Sequence, residues 1–339
     1  MYVGLTNGLA QESGSVIADN SLPKNIVVAT IPVGKLPECA LVSPNNATLY
    51  VSNFSSDTVS VIDTASNTVT FTIPVGTLPS GLAITPDGST LYVANNVDGT
   101  VSVINTSTNT VTLTVAVGFQ PDQIALGADG KLLYVPVNFG IAIISTASNQ
   151  IAQTISTSPS RADALMFTAS GRYAYALCEL NQPRKHNPYP YGLLRMNTKS
   201  EGLRKFLWGT LRLPDALAIA DNDTKLFFTE GFLDNSKVVV SVYNIALGNI
   251  ETRIPLPNPG GRGESGITPN GKYVYFPNGN LVFMISTAAN KIVGKPISIP
   301  AAGDLEADID DMAIAPNGHY AYAVDANENS VSVIDISPN

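Results

Sequence analysis

Histidine is almost absent from this sequence: His186 and His319 are the only two in 339 residues. A three-histidine metal site is thereby excluded. Cysteine is as scarce, and the separation of Cys39 and Cys178 offers neither metal-ligand spacing nor a haem attachment motif. Both are expected as free thiols, which points to a reducing compartment. Charge is thin too, with 14% charged residues against 44% hydrophobic ones and a net charge of −8. That balance gives no basic surface for nucleic acid and no polybasic patch for anionic lipid. No apolar run approaches the length of a membrane span. The N-terminus, "MYVGLTNGLAQESGSV", lacks a basic stretch followed by an apolar one, so no signal peptide is expected. The reading is cytoplasmic, with secretion open if a leader was removed. There is no Gly-rich phosphate loop and no Gly-X-Ser-X-Gly elbow.

With so few charges, the polar surface must come from Ser, Thr and Asn. Four Asn-X-Ser/Thr sequons begin at Asn46, Asn53, Asn105 and Asn222, a number that such a composition produces by chance. What the sequence does have is repetition. "LVSPNNATLYVSNFSSDTVSVIDTASNTVTFTIPVG" is followed by "AITPDGSTLYVANNVDGTVSVINTSTNTVTLTVAVG", and Tyr50, Tyr92 and Tyr134 fall 42 residues apart. Self-similarity at this period is the mark of a repeat architecture. Each unit holds four short runs of strand type and no helical period. In the second unit they are 82–85, 91–95, 101–104 and 111–117. Turn residues separate them, first Pro86-Asp87-Gly88, then Ser107-Thr108-Asn109.

The first of these turns recurs seven times, ending with Pro269-Asn270-Gly271 and Pro316-Asn317-Gly318. Seven four-stranded antiparallel units predict an all-β, seven-bladed β-propeller spanning residues 1–339 as one domain. The seventh unit ends after its third strand, and "NIVVATIPVG", residues 25–34, is expected to supply the missing outer strand and close the ring. Residues 1–20 are then surplus. Residues 181–191, within "CELNQPRKHNPYPYG", read as an insertion between the second and third strands of blade four.

Tyr50-Val51-Ser52-Asn53 and Tyr92-Val93-Ala94-Asn95 resemble the signature of the YVTN propeller repeats, a family that implies the fold and leaves the function open. "GRYAYALCEL", residues 171–180, resembles a stretch of the lactonase-type seven-bladed propellers. That resemblance implies a cleft position for Glu179, although Cys178 stands where the family has Asn.

In a propeller the loops entering the first strands and those joining second to third strands share one face. Loop residues on a rigid scaffold are where binding and chemistry concentrate. Aligned on Ser80, the residues entering the first strands are Glu38, Asp122, Asp163, Asp215 and Asp310, with Glu264 offset by one. Such a ring could supply a proton-transferring group, hydrogen-bond its own turns, or hold a metal. If a metal is present, calcium or magnesium is the expected ion, with Glu38, Asp122, Asp163, Asp215 and Asp310 as ligands; otherwise no cofactor is implied. Lys35, Arg161, Arg212 and Arg262 lie nearby in sequence. "GDLEADIDDM", residues 303–312, lacks EF-hand spacing and reads as a solvated acidic loop.

Aromatic residues gather on the same loops: Phe54, Phe119, Phe139, Phe232, Tyr189 and Tyr191, with Trp208 expected to end an outer strand there. An apolar pocket with a few convergent polar groups is the usual form of a ligand site. The leading expectation is therefore a binder of a rather apolar small molecule, acting by positioning and hydrogen bonding, as in cyclisation, isomerisation or pericyclic addition. Glu179, His186, Asp163 and Arg161 are its candidate catalytic residues. Phe54, Phe119, Phe139, Tyr189, Tyr191, Trp208, Phe232, Asp122, Asp215 and Asp310 are its candidate substrate contacts. A metal-dependent lactonase-like hydrolase and a non-catalytic scaffold propeller are the two alternatives.

Overall fold

In the computed structural model, residues 22–138, 140–157, 160–180, 191–198, 204–211, 214–220, 223–231, 238–257, 263–301 and 307–339 are described. For residues 160, 161, 163, 179, 180, 204–211, 214 and 215 the description covers the backbone alone.

Strand β1 (Ile26–Pro32) precedes the blades. Blade one is β2 (Pro37–Val42), β3 (Thr48–Asn53), β4 (Thr58–Asp63) and β5 (Thr68–Pro74). Blade two is β6 (Pro79–Ile84), β7 (Thr90–Asn95), β8 (Thr100–Asn105) and β9 (Thr110–Ala116). Blade three is β10 (Ala125–Leu126), β11 (Leu132–Val137), β12 (Gly140–Ser145) and β13 (Gln150–Ser156). Blade four is β14 (Ser160–Phe167), β15 (Tyr173–Leu180), β16 (Tyr191–Asn197) and β17 (Arg204–Leu211). Blade five is β18 (Pro214–Ala220), β19 (Lys225–Gly231), β20 (Val238–Asn244) and β21 (Asn249–Leu256). Blade six is β22 (Gly266–Ile267), β23 (Tyr273–Asn278), β24 (Leu281–Ser286), β25 (Lys291–Ile292) and β26 (Ile297–Ser298). Blade seven adds β27 (Ile309–Ile314), β28 (Tyr320–Asp325) and β29 (Ser330–Asp335).

Every blade is an antiparallel meander, and the seventh is completed from the other end of the chain in the order β1-β29-β28-β27. The β1 pairing runs from Ile26 opposite Asp335 to Pro32 opposite Ser330. The first strands touch one another in a closed cycle, β2 to β6, β10, β14, β18, β22, β27 and back to β2, which places them around the axis. The fourth strand of blade six departs from the expected single run. Gly294, at φ 72, and Pro296 break it into β25 and β26, both paired to β24, because proline cannot donate to a ladder.

The inner strands bury both faces, which is why "TLYVSN" and "TLYVAN" read as nearly unbroken apolar runs. The core divides into seven clusters, one at each seam between neighbouring blades. Outer strands carry their Thr and Val into solvent; in β5 five consecutive residues are exposed. Close blade contact also explains Gly81, where a Cβ would lie 2.5 Å from the Asp122 carbonyl oxygen and 2.8 Å from the Ile124 nitrogen. Both neighbours are backbone and cannot rotate away. Gly81→Ala is expected to cost about 2 kcal/mol, within the usual range for overpacking. Urea denaturation measures this, and an unchanged midpoint would contradict the close seam.

Candidate functional site

The first strands enter the channel through a recurrent irregularity. In β2, Glu38 is an extra residue between the pairs Pro37–Asn53 and Cys39–Ser52. In β27, Asp310 is extra between Ile309–Asp325 and Asp311–Val324. The register shifts at the corresponding place in β6, β14 and β18 as well. A bulge re-aims the side chain it carries; it falls on Glu38 and Asp310 and takes in Ser80 and Asp163, whereas in β18 it falls on Ala216, one residue past Asp215, and Asp122 lies ahead of β10.

The described members of this ring sense one another. Burial, reinforced by the charges of Asp122, Asp310 and Asp311, pushes the half-buried Glu38 carboxyl up to about 8. Burial raises Asp311 to about 6, opposed by hydrogen bonds from the Ala40 and Met312 amides. Those amides donate to the two carboxylate oxygens at 2.7 Å each, tying blade seven to blade one. The solvated reading of residues 303–312 is therefore corrected at Asp311, which is 7% exposed and spent on the backbone. Cys39 is buried between these acids, and burial first, then Asp311, holds its thiol well above the ordinary range. Among the described residues no three of His, Cys, Asp and Glu are placed to hold a metal ion. Of the five candidate ligands, the side chains of Asp163 and Asp215 fall outside the description.

In blade four, Arg161 is paired with Glu179 across β14 and β15, and Glu179 with Tyr191 across β15 and β16. Three sequence candidates thus stand in one row of the sheet, although only Tyr191 has a described side chain, half-buried beside the core of the blade four–five seam. β15 and β16 flank residues 181–190, and His186 and Tyr189 lie outside the described residues, as do Phe139 and Phe232. Phe54 opens a 3-10 turn, Phe54–Ser56, between the second and third strands of blade one. Phe119, 64% exposed, lies in the loop that leads to the first strand of blade three. Trp208 corrects an expectation: it lies inside β17 instead of at its end, in the stretch facing the irregularity between Tyr191 and Leu193. The strand continues for three residues beyond it because Leu211 still pairs with Tyr191.

Sequence reasoning missed the task of the signature asparagine. Asn53 and Asn95 are fully buried. The Asn53 Oδ1 accepts from the Gly34 amide at 2.9 Å, and its Nδ2 donates to Thr58 Oγ1 and Ser60 Oγ, each at 3.0 Å. Asn95 repeats the set with Gly76, Thr100 and Ser102. The side chain clamps the loop entering a blade onto the blade's own second and third strands. Gly34 is required because a Cβ would approach Asn53 to 2.5 Å. The recurrence of Gly, Asn, Thr and Ser at one spacing in both units was the legible signal. Register places Cys178, Glu230 and Asp325 at the same position in blades four, five and seven. Glu230 there accepts from Ser241 and pairs with Arg253, both at 2.9 Å.

Residues 25–143 match the YNCE-like beta-propeller family model. No curated protein sequence matches the chain. Hydrazine synthase from Kuenenia stuttgartiensis is similar in structure, with a TM-score of 0.75 at 19% identity over 98% of this chain and 100% of that one. The β-propeller domain of Cps50 (Swd1) from Myceliophteria thermophila gives 0.72 at 10% identity over 92% and 100%. At such identities the likeness is one of fold. The chain is a seven-bladed β-propeller whose residues 25–143 match the YNCE-like propeller family.

Proposed function

We propose that the propeller binds a rather apolar small molecule at its channel mouth and acts on it by positioning and hydrogen bonding. The observation that carries this reading is Glu38, a carboxyl whose surroundings keep it protonated at neutral pH. A neutral carboxylic acid can donate to a carbonyl or hand over a proton as charge develops, which suits cyclisation or isomerisation. Asp122, Asp310 and Asp311 would hold that proton in place by making a further negative charge costly. The exposed Phe119 supplies apolar surface near the same loops. Glu38 thereby takes the proton-transferring role that the sequence reading left open to the acidic ring, beside the candidate catalytic residues Glu179, His186, Asp163 and Arg161.

Crystals soaked with a library of carbonyl-bearing polycyclic fragments test the reading. Density within hydrogen-bond reach of Glu38 is expected; fragments that collect elsewhere and leave the mouth empty would overturn it. Stability offers a second measurement. The folded-state value of Glu38 lies above its ordinary 4.5, so the fold holds the proton more tightly than the unfolded chain does. Stability from this group is full below the ordinary value and declines as pH rises toward 8. Asp311 acts in the same sense toward pH 6. The melting temperature of the wild type should fall between pH 5 and 8 (about the span of the shifted groups), and Glu38→Gln should flatten the upper part of that decline. Parallel curves for the two proteins would rule out a shifted Glu38.

A further inference from the structure

On the face opposite the mouth, the seam between blades seven and one opens into a cavity of about 300 Å³. Its wall is formed by Val28 of β1, Asn46 and Thr64 from blade-one turns, Asn67 from the turn before β5, and Tyr320 and Tyr322 of β28. The equivalent contact at the seam of blades two and three is closed. There the Tyr92 hydroxyl donates to Asn149 Oδ1 at 2.7 Å. Tyr322 and Asn67 occupy the same two positions, but the Asn67 Oδ1 is buried without a hydrogen-bond partner. Tyr322 is 2% exposed and lines the cavity, with no hydrogen bond to its hydroxyl among the described residues. A buried acceptor left unmade is costly, and the unpaired Tyr322 hydroxyl belongs to a residue that lines, with Asn67, a space large enough for a ligand.

The chemistry of the wall narrows the occupant. Among its described residues none is charged, so it provides no counterion for a phosphate or a carboxylate. Burial holds the Tyr322 phenol up at about 12, leaving it a neutral donor. Tyr320 is 39% exposed and offers a ring face beside the amides. An aromatic face next to neutral donors and acceptors matches a molecule that has an apolar C–H face and a rim of hydroxyl groups. The volume sits at the small end of ligand cavities. We propose that the seam between blades seven and one is a binding site for a neutral sugar of hexopyranose size, stacked on Tyr320 and hydrogen-bonded to Tyr322 and Asn67.

Saturation-transfer difference NMR with D-glucose, D-galactose, D-mannose and N-acetyl-D-glucosamine tests this on the full chain, with adenosine as a planar, uncharged competitor class. Transfer to at least one sugar is expected. Tyr320→Ala should weaken it about tenfold, the scale of one lost stacking contact. Tyr322→Phe removes a hydroxyl that has no partner among the described residues, so it should weaken binding while leaving the melting temperature unchanged. Asn67→Gly suits the positive φ of 54 and gives a third variant that keeps both aromatics. Glu38→Gln, on the other face, should bind sugar as the wild type does, which separates this site from the mouth. The proposal is overturned if none of the four sugars shows transfer, if the seam variants bind like the wild type, or if adenosine alone binds.

Discussion

A chain beginning at Val33, and so lacking β1, should fail to yield a cooperatively melting propeller. Removing that strand strips β29 of its outer partner along the register from Ile26–Asp335 to Pro32–Ser330. It also withdraws Ile31, 2% exposed, from the core shared by blades seven and one. Burying one such side chain is worth about 1.5–3 kcal/mol, and the opened ladder adds unpaired backbone along a whole strand. Against a total stability of about 5–15 kcal/mol, the sum is decisive. A point variant isolates the packing contribution: Ile31→Asp places an unpaired carboxylate in that core and should cost about 3 kcal/mol or more. Ile26→Asp, on a residue that is 52% exposed, should stay within about 0.5 kcal/mol of the wild type. Circular dichroism melts of the three proteins decide the matter. A truncated chain that melts with the sharpness and midpoint of the full one would mean that β1 is not what closes the ring.

The repeat made the fold legible because a propeller reuses one local solution seven times. The turn at Pro86-Asp87-Gly88 specifies the same hairpin as Pro316-Asn317-Gly318, with Gly88 and Gly318 both at positive φ. Ring closure was legible for a different reason: a unit short of a strand at one end and a spare strand at the other can only be reconciled in space. The mouth was less legible, since burial depth is a property of the assembled ring. Glu38 and Asp311 are ordinary acids in the sequence. Burial, with Asp122, Asp310 and Asp311 around it, pushes the first carboxyl up, and the second becomes a backbone staple because blades seven and one converge on it. The seam cavity gave no sequence signal at all. It depends on the separation between Tyr322 and Asn67, and the sequence is alike at the closed seam of Tyr92 and Asn149.

Asn95→Leu should be among the most damaging single substitutions in the chain, although asparagine is not a core residue by type. The carboxamide satisfies the Gly76 amide at 3.1 Å and the Thr100 and Ser102 hydroxyls at 2.9 Å. Leucine would leave these groups around an apolar side chain in a site that is fully buried. Each stranded buried group costs about 1–3 kcal/mol; Thr100, partly exposed, can turn to water, so a loss of about 3 kcal/mol in urea denaturation is expected. Asn95→Asp separates the acceptor from the donor. It can still receive the Gly76 amide, but it donates to the hydroxyls only when protonated. Blade seven carries this arrangement naturally in Asp325, 1% exposed, whose carboxyl burial raises. A raised folded-state value means that stability is fullest at low pH and is lost as pH rises through that value. Asn95→Asp should therefore approach the wild type near pH 4 and fall below it at pH 8, while Asn95→Leu stays low at both. Equal losses at both pH values would show that the clamp acts by shape alone. Because Gly76 begins the loop that delivers Pro79 and Ser80 to the channel, a clamp that acts through hydrogen bonds also fixes the ring positions at which Glu38 and its neighbours meet.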